Sequence, residues 1–271
     1  MKQAREAACA PRESQLIFAH REGQLIFGFD PEFCRMFKAK AVFFDAAGTL
    51  IETRGGVGEI YSRVARDFGF EAEPQTLQQN FARRFREQPP MAFPAGTPDA
   101  ELQALEKGWW RNLVKAVFAD LDSFPRFDEF FDDIFERFHG REFWRVFDDV
   151  EPALAALKQR GIRLGVISNF DSRLYDVLRA CELDRFFDSI HISTRVGAAK
   201  PDPAIFQAAL NYHAVEACQA WHVGDSLRED VEGALAVGIN AVLLDRDNCF
   251  AENAHVTRIT SLNRLDASLG P

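Results

Sequence analysis

The stretch Ala41-Val42-Phe43-Phe44-Asp45-Ala46-Ala47-Gly48-Thr49-Leu50 decides how the chain is read. Its four apolar residues make a run too short for a buried helix and suited to a strand covered on both faces. The run ends on an acid followed by a small, glycine-containing turn. That junction predicts Asp45 at the carboxyl edge of a sheet, where open α/β sheets bind their ligands.

Downstream, the strand, loop, helix unit recurs. Strands are predicted at Leu164–Ser168, Ser189–Ser193, Ala220–Gly224 and Asn240–Leu244, and helices at Pro152–Arg160, Arg173–Ala180, Pro203–His213 and Arg228–Val237. This alternation is that of an α/β fold, a doubly wound, Rossmann-like parallel sheet with helices on both faces. Between Gly56 and Phe147 it stops. Ile60, Val64 and Phe68, then Trp109, Leu113 and Val117, then Phe127, Phe131, Ile134 and Phe138 follow helical spacing instead. An α-helical unit is therefore inserted there, its aromatic stripes read as the core of that unit. The domain reading is an N-terminal extension over 1–40, an α/β core made of 41–55 and 148–271, and a helical unit over 56–147. In the extension, QLIF occurs at Gln15–Phe18 and again at Gln24–Phe27, which fits a small hairpin. An alternative is that the natural chain starts at Met36, directly before the first strand.

Composition narrows the partners. A formal net charge of −9 opposes unspecific attraction to nucleic acid or anionic membranes, so an anionic ligand needs a locally basic pocket. No apolar run approaches the ~20 residues of a membrane helix, and the first thirty residues lack a signal-peptide core. Cys9, Cys34, Cys181, Cys218 and Cys249 show no metal-ligand spacing and are expected as reduced thiols in a cytoplasmic protein. No heptad or other pairing pattern specifies an oligomeric state.

Four predicted strand ends carry polar residues that make chemical sense together: Asp45; Ser168-Asn169; Lys200 before Pro201-Asp202-Pro203; and Gly224-Asp225-Ser226 with Asp230 five residues after Asp225. Phosphoryl transfer needs a nucleophile, a fixed cation, hydrogen-bond donors and usually a carboxylate-held metal. Asp45 can attack phosphorus, and Asp45 with Asp225 can hold Mg²⁺, a hard cation that takes one or two carboxylates. Ser168, Asn169, Gly48 and Thr49 are expected at the substrate. Lys200 supplies the positive charge, and Asp230 supports Lys200 or the metal. A small phosphorylated molecule is the expected partner. His222, inside a strand, is read as packed.

Hydrophobic strand–DxxGTL, strand–S-N, K-P-D-P-x-I-F and G-D-S-x₄-D, in that order from Ala41 to about Leu244, resemble the four motifs of the haloacid dehalogenase superfamily. The helical unit after the first motif resembles that family's C1 cap, as in its subfamily IA. With Val57-Gly58-Glu59-Ile60-Tyr61 following, the chain is similar to the haloacid dehalogenase-like hydrolase domain-containing group. The resemblance implies a Mg²⁺-dependent hydrolase of phosphatase type that also uses the backbone carbonyl at position 47 for the metal. It also exposes a departure. Two residues after the nucleophile, phosphatases of the family carry a second Asp as general acid and base; here it is Ala47. General acid–base catalysis contributes roughly 10²–10⁴ in rate, so poor leaving groups should suffer most. Glu59 is a candidate substitute. The alternatives are a binding module without turnover, a phosphonatase-type enzyme using Lys107 or Lys115 of the helical unit for a Schiff base, and a dehalogenase-type hydrolase.

Overall fold

The computed structural model describes residues 17–21, 24–28, 38–250 and 256–269. Its centre is a six-stranded parallel sheet in the order β10-β9-β8-β3-β6-β7. In chain order the strands are β3 (Ala41–Phe44), β6 (Arg163–Ser168), β7 (Ser189–Ile192), β8 (Ala220–Gly224), β9 (Asn240–Leu244) and β10 (Thr257–Ile259). β3 is buried on both faces, as its unbroken apolar run requires. From β3 the chain builds outward through β6 and β7, then returns to β8 on the other side of β3. The order therefore reverses at β3, and the crevice at the carboxyl ends of β3, β6 and β8 is where such sheets receive ligands.

Each sheet face has its own core. One face packs Phe44, Leu154, Leu157, Leu174 and Leu178 beneath α5 (Val150–Gln159) and α6 (Arg173–Ala180). The other packs Phe43, Ile205, Phe206 and Leu210 beneath α7 (Pro203–His213). Between the short strand β4 (Ile51–Thr53) and its antiparallel partner β5 (Trp144–Val146) the chain makes helices α1 (Gly56–Asp67), α2 (Pro74–Glu87), α3 (Asp99–Phe118) and α4 (Phe127–Arg137). These share a third core, in which Tyr61, Phe118 and Phe130 meet at centroid distances of 5.3–6.2 Å. In the N-terminal region, β1 (Ile17–Arg21) pairs antiparallel with β2 (Gln24–Gly28); Gln15, Leu16 and the alternative start at Met36 lie outside the described residues.

Three details depart from the sequence reading. β10 was not foreseen: its three residues carry only one buried side chain, so it has no apolar run to betray it. The predicted helix Arg228–Val237 is a π-helical turn, Leu227–Glu232, followed by α-helix at Gly233–Ala236. There the Val231 amide reaches back five residues to the Ser226 carbonyl. Finally, Cys181 and Cys249 are free thiols, but Cys218 is disulfide-bonded. Among the described residues, no helix is long and apolar enough to cross a membrane.

Candidate active site

β3 delivers Asp45, β6 delivers Ser168, and the Lys200–Pro201 turn delivers Lys200 into one buried cluster below the sheet edge. Lys200 Nζ donates to Asp45 Oδ1 and to Asp230 Oδ1, each at 2.6 Å. The Ser168 hydroxyl also hydrogen-bonds Asp45. Burial raises the Asp45 carboxyl against the opposing pull of Lys200. For Lys200 the balance reverses: burial disfavours its charge, but Asp230 and Asp45 outweigh that and hold the ammonium above its ordinary range. The cation is therefore secure, as a buried lysine is only when paired.

Asp230 is fully engaged. Its Oδ1 also meets His222 Nε2 at 2.8 Å, and its Oδ2 accepts the Ser226 amide at 3.0 Å. Burial works against its charge, but Lys200 and His222 hold the carboxyl well below the usual carboxylate range. Only a glycine at position 224 permits this, because a Cβ there would lie 2.1 Å from Asp230 Cγ. Gly224→Ala should therefore push Asp230 off Lys200 and cost about 1–3 kcal/mol of stability. Thermal denaturation checks this, and an unchanged melting temperature would contradict it.

Asp225 forms no ion pair among the described residues, in contrast to its neighbours. Although the residue is exposed, desolvation of its carboxyl, then the charges of Asp45 and Asp230, push it up to about 7. Oxygens of Asp45, Asp225 and Asp230 lie within 4.8 Å of one another, but those of Asp230 are spent on the protein. Gly48, at φ +85°, brings the loop after β3 against Asp225, to which a Cβ would come within 2.4 Å. In that loop the Ala46 carbonyl accepts the amides of Thr49, Leu50 and Ile51, and the Ala47 carbonyl takes no part in those bonds. Asp45, which shares Lys200 with Asp230, and the unpaired Asp225 are oxygen donors of the kind that fits a hard divalent cation.

One sequence-predicted substrate contact is placed elsewhere. Thr49 is fully buried, turned inward by the Gly48 bend, and its carbonyl accepts from Arg246. Asn169 clamps the main chain of Lys200, accepting its amide at 2.6 Å and donating to its carbonyl at 3.0 Å. The Gly48 amide is likewise committed, to Ile51. Asn169 and Gly48 still face a cavity of about 320 Å³ between the sheet edge and α1–α4, together with Ala47. Among its described lining residues there is no lysine: Lys107 pairs with Asp132 and Lys115 is exposed. Glu59 is also exposed and absent from the lining, whereas Glu52 is present.

Residues the sequence did not reveal complete the site. His222 reaches Asp230 from inside β8, its Nδ1 buried without a partner among the described residues. A histidine in an otherwise apolar strand was the available signal. Asp171, Arg173 and Trp110 form a second buried group: Arg173 Nε and Nη2 donate to Asp171 at 2.9 and 2.6 Å, and the Trp110 indole also donates to Asp171. Glu106 of α3 accepts from the Ser172 hydroxyl at 2.9 Å and from Thr194 at 2.6 Å, tying the helices to the loops after β6 and β7.

Comparison with known proteins agrees with this arrangement. The family model for haloacid dehalogenase-like hydrolases matches residues 39–238. Haloacid dehalogenase-like hydrolase domain-containing protein 3 of Mus musculus is 36% identical over 203 residues, 74% of this chain and 80% of its own. A HAD phosphatase from Thermococcus onnurineus superposes with a TM-score of 0.57 at 25% identity, covering 85% of this chain and 98% of that one. An L-2-haloacid dehalogenase from Xanthobacter autotrophicus, 15% identical, shares the fold at a TM-score of 0.63 over 84% of this chain and 97% of its own. With a family model spanning most of its length and the family's four motifs gathered at one sheet edge, the chain belongs to the haloacid dehalogenase-like hydrolases.

Proposed function

We propose that this hydrolase is a Mg²⁺-dependent phosphatase acting on a small phosphorylated molecule through an aspartyl-phosphate on Asp45, with helices α1–α4 as the cap that selects the substrate. The observation that carries the reading is the contrast between the two carboxylates: Asp45 is held by Lys200, and Asp225 close to it forms no ion pair among the described residues. A dehalogenase has no use for that second, unneutralised carboxylate. A phosphonatase-type Schiff base finds no lysine among the described residues of the cavity lining.

In this mechanism Asp45 attacks phosphorus, the ester oxygen departs, and water then hydrolyses the acyl phosphate. Lys200 has three N–H donors, of which Asp45 and Asp230 take two; the third remains for a phosphoryl oxygen. Ser168 holds Asp45 from the other strand. Asn169 fixes the Lys200 backbone, and the His222–Asp230 pair fixes its ammonium. Mg²⁺, held by Asp45, Asp225 and the Ala47 carbonyl, would neutralise charge on the phosphoryl oxygens. Ala47 offers no proton to the leaving group, which favours a second reading, a binder of phosphorylated ligands without turnover.

Acid quenching during hydrolysis of an aryl phosphate should leave phosphate on the peptide that contains Asp45, and chelating divalent ions should abolish both signal and turnover. Turnover with no phosphate on Asp45, or unaffected by chelation, contradicts the mechanism. Neither turnover nor phosphorylation at any Mg²⁺ concentration supports the binder.

A further inference from the structure

We infer that the substrate is an aryl phosphate, the monoester of an uncharged, phenol-like alcohol whose ring system lies in the cavity under α1–α4; this rests on the phosphatase reading of Asp45. Two independent observations converge on it. One is the cavity wall. The space starts at Ala47 and Gly48, on the turn that follows Asp45, and its sides are largely aromatic, among them Phe81, Trp110 and Phe131. Its charged groups are already matched: Arg173 is bound bidentately by buried Asp171 and lies over the rings of Trp110 and Phe135, and Glu52 pairs with Arg145. A polyol phosphate would leave water for a wall with few partners for its hydroxyls, which is unfavourable. A flat apolar ring loses nothing by entering, and about 320 Å³ lies at the lower end of the range for small-molecule sites.

The other observation is Ala47. A leaving alkoxide needs a proton in the transition state, and no side chain at position 47 supplies one; a phenolate leaves without it. The residue that weakens the site for sugar and alkyl esters thus costs little in the phosphoryl-transfer step from an aryl ester, and its methyl group extends the apolar wall.

The test separates binding from turnover. Binding of naphthyl, phenyl, octyl and hexose phosphates to Asp45→Asn protein is measured by competition, and kcat/KM for each by phosphate release from the wild type. Hydrophobic pockets resolve single methylene-sized differences by roughly 10-fold or more. Naphthyl phosphate should therefore bind at least about 10-fold tighter than phenyl phosphate, and far tighter than hexose phosphate. Octyl phosphate should bind well yet turn over slowly. Phe85→Ser, altering a cavity-lining ring that is 44% exposed, should raise KM for naphthyl phosphate. Equal or tighter binding of hexose phosphate, or octyl turnover matching naphthyl turnover, overturns the aryl assignment and leaves the phosphatase reading standing. The predicted binding order with no phosphate released from any ester overturns the phosphatase reading and, with it, the aryl ester as substrate, leaving only the apolar cavity as a binding site.

Discussion

Ala47→Asp is expected to raise kcat/KM, which reads the first step, by roughly 10²–10⁴-fold for alkyl phosphates and by much less for aryl phosphates. The structure makes the substitution feasible, because Ala47 is exposed and faces the cavity beside Gly48. In its protonated form the new carboxyl group would give its proton to the departing alkoxide, and the carboxylate so formed would then draw a proton from the water that attacks the acyl phosphate. Both steps are affected, so the kinetics should change shape as well as rate. With an aryl ester, wild type should show a burst of phenol release followed by slow turnover, and Ala47→Asp should lose the burst as hydrolysis of the intermediate catches up. Stopped-flow measurement of alcohol and phosphate release resolves the two phases. A folded Ala47→Asp protein with wild-type rates on both ester classes would mean that proton transfer at this position does not limit the reaction.

Asp45→Asn is expected to abolish turnover while leaving the fold intact. Loss of a nucleophile costs on the order of 10⁴–10⁶ in rate where the rest of the site survives. The sign of the stability effect follows from burial, which raises the Asp45 carboxyl. A carboxyl whose pKa is higher in the folded chain binds more protons there, so ionising it at neutral pH detracts from stability. The neutral, isosteric amide removes that cost, and Lys200 keeps Asp230 as its ion-pair partner at 2.6 Å. The variant should thus melt at or above the wild-type temperature. Phosphate release and calorimetry together check the pair of outcomes. Retained turnover would move the nucleophile elsewhere, and a large drop in melting temperature would show that Asp45 mainly serves to hold Lys200.

Much of the architecture was legible because it rests on local patterns. The strands Ala41–Phe44, Ala220–Gly224 and Asn240–Leu244 and the helices Arg173–Ala180 and Pro203–His213 occur with the predicted bounds. Short apolar runs between polar turns have few alternatives in a sheet covered on both faces. Thr257–Ile259 and the π-helical turn escaped because neither has a distinguishing pattern. The first is a half-exposed edge strand, and the second is set by an aspartate side chain folding back on Ser226.

At the site the division falls between which residues and which atoms. The sequence alone determined that an acid, a serine and a Gly-Asp-Ser turn would end strands and that a lysine would follow another, because sheet polarity places all such ends on one edge. Only the tertiary structure decided what each polar atom does. Lys200 and Asp45 meet across 155 residues of chain and Asn169 reaches the Lys200 backbone across 31. Arg173 is neutralised by Asp171, and Thr49 faces the core. Hydrogen bonds reward a few tenths of an ångström, and that precision comes from the packing of the whole molecule, whereas burial and periodicity are written within about ten residues.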